Sequence, residues 1–466
     1  MSADELCFMP ATEMARRIAA RELSPVTVMD AVLTRAEAMD KSLNLFALPL
    51  FDEARAAARA AEAAVMRGDA LGPLHGVPIT VKDNVAVGGL RITNGSAAFM
   101  DNIAGTDAAV VARIKAAGAI IIGKTNLPEF AHKVLTDSPA FGVTNSPWSP
   151  DHTPGGSSGG ASAALASGVA PLAVGTDGGG SIRCPSSCCG LVGLKATLGR
   201  IPMEAPDGFN AYFFVGPMAR RAADARLLMS VMAGKLAIDP YAIAAPPLPA
   251  ALSANKADVS GLKIGWVEHF GRYRTEAETG RLTRAAVESL ANEGAIVEEL
   301  REPAFDDVFD TYTVIASAAH AARYGGLAER WAERMTPSMV DSINKGRKWS
   351  APDLVLAGDR RTQLFRAVQA LFERFDIIAT PTMIAPPKPL DAGGSIATEM
   401  YAEWAAPLYP FNLTGHPAIS VPAGFTENGL PVGLQFVGPW YAEERLLGLA
   451  SRLETIHAWH ERRPAI

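Results

Sequence analysis

The sequence predicts an α/β fold, and three observations predict it. From Gly76 onward, short apolar runs alternate with helical patterns. The alternation resumes beyond a proline-rich stretch near residue 250. Two apolar runs near the C-terminus, 418–422 and 432–437, read as late strands of the same core. Such alternation favours a sheet covered by helices.

The elements follow in order. Residues 1–70 read as an N-terminal helical arm packed on the core. Ser24-Pro25 supplies an N-cap with proline at the first helical position. Val28, Met29, Val32 and Leu33 then share one helix face. Asp52 and Glu53 open the next helix and Gly68 closes it. Residues 71–234 read as the first part of the core. Here 77–81 is a strand ending at Lys82, 106–117 a helix, 119–122 a strand, 160–167 a helix and 172–174 a strand. Residues 235–260, with Pro240, Pro246, Pro247 and Pro249, read as a linker. Residues 261–466 continue the same domain. They carry strands at 262–267, 295–297 and 377–382, a helix at 276–292, and a mainly helical region at 304–375.

Bulk properties narrow the function. A net charge of −6 over 466 residues gives no reason to expect nucleic acid or an anionic membrane as partner. No apolar run of about 18 residues occurs, so no transmembrane helix is expected. The first residues lack the basic and apolar regions of a signal peptide. Cys7, Cys184, Cys188 and Cys189 show no metal-binding spacing and read as buried, reduced thiols, which suggests a cytoplasmic protein. The helical arm could also pack on a second copy of the chain, making a homodimer an expectation.

Residues 155–193 hold eleven of the 42 glycines. Gly178-Gly179-Gly180 precedes Ser181, and glycine lets backbone amides approach one point. Such a nest binds an anion, or holds the oxyanion of an acyl-transfer reaction. No GxxxxGK[ST] phosphate loop is present. Gly155–Gly159 matches GxSxG, but Ser149 to Pro154 before it is a loop rather than the strand a nucleophile elbow needs. The eight histidines are scattered, and His152 reads as a loop residue rather than the partner of a serine. A lysine can activate serine instead, provided that it is neutral. Lys82, closing an apolar strand, has the context in which burial depresses a lysine pKa; the competing reading is an ion pair with Asp83.

Together these residues resemble the amidase signature family. The resemblance rests on Gly76 to Asn84, on Gly123-Lys124-Thr125-Asn126, on Pro154 to Gly160, on Asp177 to Arg183 and on Cys189 to Lys195. The separations of 75 residues from Lys82 to Ser157 and 24 from Ser157 to Ser181 agree with it. Resemblance returns at Thr380-Pro381-Thr382 and from Asn412 to Pro422.

The resemblance implies one large domain with a central mixed, twisted β-sheet flanked by helices on both faces. It implies a Ser-cisSer-Lys triad: Ser181 as nucleophile, Ser157 as proton relay behind a cis peptide, and Lys82 as general base. The amides of Gly178, Gly179, Gly180 and Ser181 would hold the oxyanion. Ser158, Thr176, Asp177 and Arg183 would support the site. No metal or organic cofactor is needed. The expected activity is hydrolysis of a carboxylic amide, with an aryl or alkyl amide favoured. Phe130, Tyr312, Trp331, Met335 and Met339 are candidate pocket residues. A carbamate or ester hydrolase would use the same triad. So would the glutamine-hydrolysing component of a tRNA-dependent amidotransferase. That branch carries an acid before the Asn-Leu-x-Gly motif, and residues 404–409 contain none. A non-catalytic anion-binding protein is disfavoured by the intact Lys82, Ser157 and Ser181.

Overall fold

The structure, a computed structural model, describes residues 1–204, 211–243, 246, 258–390 and 403–466. Thirteen strands occur among them. Those used below are β1 (Phe46–Pro49), β2 (Pro78–Lys82), β3 (Ile120–Thr125), β6 (Leu172–Asp177), β7 (Val192–Lys195), β8 (Phe214–Ala219), β9 (Lys263–Trp266), β10 (Ile296–Glu299), β11 (Ile377–Pro381), β12 (Ala418–Phe425) and β13 (Pro431–Val437). These eleven form one mixed sheet in the order β1-β3-β2-β6-β8-β7-β12-β13-β11-β9-β10. The remaining pair, β4 (Asp137–Ser138) and β5 (Gly142–Val143), makes a separate small hairpin.

Pairing explains the strand compositions. β2 lies parallel to both β3 and β6, and all five of its residues are buried. A strand covered on both faces needs a near-continuous apolar run, which Pro78 to Val81 provides but for Thr80. β6 is buried throughout for the same reason. The helix Gly159–Ala166 between them is also buried throughout, and its small side chains leave no polar stripe.

The N-terminal arm packs on its own core. The Asp224 carboxylate accepts the Ala11 and Thr12 amides at the start of helix Ala11–Ala19, at 3.0 and 2.9 Å. The arm departs from the all-helical expectation at one point. Phe46–Pro49 forms β1, an edge strand antiparallel to β3. Four residues between two long helices carry too little alternation to stand out in sequence. The Pro-rich linker at 235–260 falls largely outside the described residues. The helical region resolves into helices Val308–Trp331, Pro337–Gly346 and Ala351–Leu371. Among the described residues no helix is long and apolar enough to cross a membrane.

Candidate active site

The parallel register brings the first two functional groups together. Ile79 pairs with Leu172 and Val81 with Val174, so Lys82 and Thr176 emerge at the same carboxyl edge. Crevices at that edge are where open α/β sheets bind ligands. Lys82 is fully buried. Its Nζ lies 2.7 Å from Ser157 Oγ and 2.9 Å from Thr176 Oγ1.

The ion-pair reading of Lys82 fails on geometry. Asp83 is already taken, with Lys124 Nζ 2.7 Å from its Oδ1 and the Thr93 amide donating to its Oδ2 at 3.0 Å. Lys82 therefore keeps only neutral oxygen partners. Burial pushes its pKa well below the ordinary 10.5, and the charge of Asp177 offsets part of that shift.

Ser157 follows a cis peptide after Gly156 and is fully buried. Its neighbour Ser158 ties two segments together. The Ser158 amide donates to the Ser181 carbonyl at 3.2 Å, and its hydroxyl donates to the Thr176 carbonyl at 3.3 Å. Ser181 follows β6 and lines a cavity of about 1320 Å³. Its hydroxyl has no hydrogen-bond partner among the described residues. His152 pairs with Ser149 at 2.9 Å, away from these serines.

The loop before Ser181 is shaped by Asp177. Its Oδ1 accepts the Gly180 amide at 2.7 Å and its Oδ2 the Ile182 amide at 3.2 Å. This corrects the expected donor set. The Gly180 amide is engaged, whereas the amides of Gly178, Gly179 and Ser181 have no partner among the described residues. Gly180 matters through its backbone instead. Its φ of +111° suits glycine, and a Cβ there would lie 2.1 Å from Leu408 Cδ1.

Asp177 is itself clamped. Arg183 Nε and Nη2 reach its two oxygens at 3.0 and 3.1 Å, and Asn412 Nδ2 donates to Oδ1 at 2.8 Å. Burial alone would raise the Asp177 pKa. The Arg183 charge, the bonds from Arg183 and Asn412, and the Lys195 charge together hold it well below the usual 3.8. Arg183 Nη1 also donates to Gln435 Oε1 at 2.7 Å, and Nη2 donates to Asn412 Oδ1. Sequence reasoning missed Gln435. It quoted Asn84 and Asn412 within motifs without assigning them work. Asn84 Nδ2 donates to Thr176 Oγ1 at 3.0 Å and so fixes the lysine's second partner.

Two of the expected pocket residues, Phe130 and Tyr312, line the cavity beside Ser181. Trp331 and Met335 do not. Met335 and Met339 are buried with Ile343 in a cluster behind Phe130, and Trp331 packs against it. Apolar side chains at helical spacing there join two helices to the loop, which is ordinary core packing. The cavity wall near Ser181 is instead made by Tyr212, Phe213, Tyr312 and Tyr409. Among the described residues no group of three or more His, Cys, Asp or Glu gathers as a metal site.

A mixed sheet with this lysine and these serines at its carboxyl edge defines a class of hydrolase. The chain belongs to the amidase signature family: the family model described as Amidase matches residues 27–447. It is similar to an acylamidase of Rhodococcus erythropolis, 34% identical over 475 residues, covering 100% of this chain and 99% of that one. It is similar to one component of the Glutamyl-tRNA(Gln) amidotransferase of Moorella thermoacetica, 34% identical over 486 residues, covering 99% of each. Its fold matches the crystal structure of a bacterial aryl acylamidase of the amidase signature family with a TM-score of 0.91 and 27% identity, covering 97% of this chain and 98% of that one. The chain is an amidase, a hydrolase of carboxylic amide C–N bonds.

Proposed function

We propose that this amidase cleaves aryl or alkyl carboxylic amides through an acyl-enzyme on Ser181. One observation carries the reading: a fully buried lysine without an anionic partner, 2.7 Å from Ser157 Oγ. As Ser181 attacks the carbonyl, its proton passes to Ser157, and the Ser157 proton passes to neutral Lys82. The Gly178, Gly179 and Ser181 amides hold the oxyanion. The proton then returns to the departing amine or ammonia as the C–N bond breaks. Water, deprotonated along the same relay, attacks the ester. The carboxylic acid leaves and Ser181 is restored. Asp177 and Arg183 shape the amide-bearing loop, and Ser158 and Thr176 hold the relay in place.

The aromatic wall of Tyr212, Phe213, Tyr312 and Tyr409 supports an aryl or alkyl substrate. A glutamine reading has one observation in its favour. Glu403, just upstream of the acid-free window at 404–409, lines the same cavity and could meet an ammonium group. Carbamates and esters present the same carbonyl to the same serine. The buried, free cysteines fit a cytoplasmic setting. The reading needs no homodimer, since the arm that suggested one packs on its own core.

The test is fluorophosphonate labelling with peptide mapping, on wild type and Lys82→Ala, followed by turnover of anilides and glutamine. Label at Ser181 that fades in the lysine variant, with anilide cleavage, supports the reading. Label at another serine, or none on folded protein, overturns the triad. Ammonia release from glutamine without anilide turnover moves the substrate to glutamine.

A further inference from the structure

The cavity that holds Ser181 has a second, polar end. Helix Val308–Trp331 runs along it, and Tyr312, Ala316, His320 and Tyr324 line it at intervals of four residues. Tyr312 marks the reacting end, because a Cβ on Gly179 would lie 2.5 Å from its Oη. At a rise of about 1.5 Å per residue, His320 stands about 12 Å further along and Tyr324 about 18 Å. There Phe130 stacks on Tyr324 with ring centroids 4.0 Å apart. Ser338 and Ser342, one turn apart on helix Pro337–Gly346, line the adjoining wall.

Two histidine–serine pairs furnish this end. His132 Nε2 lies 2.7 Å from Ser338 Oγ, and His320 Nδ1 lies 2.8 Å from Ser342 Oγ. Burial holds both rings neutral, lowering His132 to about 3 and His320 to about 4. The His132 tautomer follows from its other nitrogen. Nδ1 is 2.9 Å from the Glu129 carbonyl, which can only accept, so Nδ1 carries the hydrogen. Bare Nε2 then accepts the Ser338 hydroxyl hydrogen. The Ser338 oxygen has only lone pairs left to offer. His320 Nε2 has no hydrogen-bond partner among the described residues. Charged side chains of both signs also line the cavity, Arg323 beside Tyr324 among them. Asp341 and Lys345 lie one turn apart, and Lys133 is paired with Asp137 at 2.5 Å.

We propose that His132, His320, Ser338 and Ser342 form a distal subsite for an uncharged hydrogen-bond donor, a hydroxyl or carboxamide, about 12 Å from the scissile carbonyl. The subsite disfavours a carboxylate there, which would set its lone pairs against those of Ser338. This rests on the amidase reading for the position of the reacting carbonyl. It makes the substrate an elongated amide, aromatic or alkyl along its length and polar but neutral at its far end.

The test uses anilides of decanoic acid, ω-hydroxydecanoic acid and decanedioic acid (as the half-anilide). A second set carries the same tails on the amine side. Wild type should favour the hydroxyl tail over the alkyl tail by roughly 3- to 10-fold through KM in one of the two sets, as one net hydrogen bond allows. The carboxylate tail should rank last. Within Ser338→Ala and within His320→Phe the hydroxyl-to-alkyl ratio should fall toward one, and a ratio cancels any general loss of activity. Calorimetry of the same molecules on Ser181→Ala reads the subsite without turnover. Equal Kd values for hydroxyl and alkyl tails, or a preference undiminished in both variants, would overturn the subsite. Tail preference in binding with no anilide turnover in wild type would support the subsite and overturn the amidase reading alone.

Discussion

Replacing Arg183 with methionine tests the clamp behind the Gly178–Ser181 loop. Arg183 is fully buried and holds Asp177, Asn412 and Gln435 at once. Methionine fills much of its volume but leaves the Asp177 carboxylate buried without its cation. Breaking a buried pair this way costs about 3–5 kcal/mol. Asp177 also positions the Gly180 and Ile182 amides, so the loop loses its template. The rate should fall by about 100- to 1000-fold, the cost typical of an oxyanion donor out of place. The pH dependence carries a sign. In wild type the folded Asp177 pKa lies below 3.8, so its stabilisation is present above that pH and is lost as pH falls through the lowered value. In Arg183→Met, burial dominates and the folded pKa rises above 3.8. Stability then falls as pH rises past 3.8, and the gap to wild type widens toward neutrality. Denaturant unfolding at pH 4.5 and pH 7, with anilide kinetics, reads all three effects. Adding Asp177→Asn to Arg183→Met should recover much of the stability at pH 7 and none of the rate. A double variant no more stable than the single one, or a penalty equal at both pH values, would refute the buried-charge argument.

Two further outcomes follow from the same geometry. The pH–rate profile should rise on an acidic limb set by Lys82, well below the ordinary lysine value of 10.5, because only the neutral amine accepts a proton; a limb at an ordinary lysine pKa would remove Lys82 as base. Gly179→Ala should cut kcat/KM sharply, since its Cβ would sit 2.5 Å from Tyr312 Oη, and adding Tyr312→Phe should restore part of the loss; no rescue would mean that the glycine matters for another reason.

The candidate triad was legible because its information is local. Lys82 ends a mostly apolar strand, and the serines stand in two glycine-rich loops whose spacing is written in the chain. Only the local half of the clamp, Asp177 with Arg183, was legible, because Arg183 meets Asn412 and Gln435 across 229 and 252 residues. Nothing near Gln435 marks it as a partner until β13 takes its place in the sheet. The engagement of Gly180, one of the expected oxyanion donors, escaped for a similar reason. Only coordinates reveal that Asp177 occupies the Gly180 amide. Central strand β8 was not read from the sequence: a proline argues against a central strand, yet Pro217 pairs with Val174 in mid-sheet. The pocket was half legible. Phe130 and Tyr312 reach the cavity, but helical spacing alone cannot tell Trp331 and Met335, which face the core, from His320, which faces the cavity.

The long reach of the Arg183 clamp sets an order in time. Synthesis proceeds from the N-terminus, so Lys82, Ser157 and Ser181 exist long before the ribosome has made Asn412 and Gln435. The nascent chain thus carries every candidate catalytic group while the Gly178–Ser181 loop has only half its scaffold. Competence arrives with the last strands, when β13 brings Gln435 to Arg183. A product cut short before that point lacks the far half of this scaffold, and its candidate nucleophile is expected to be inert.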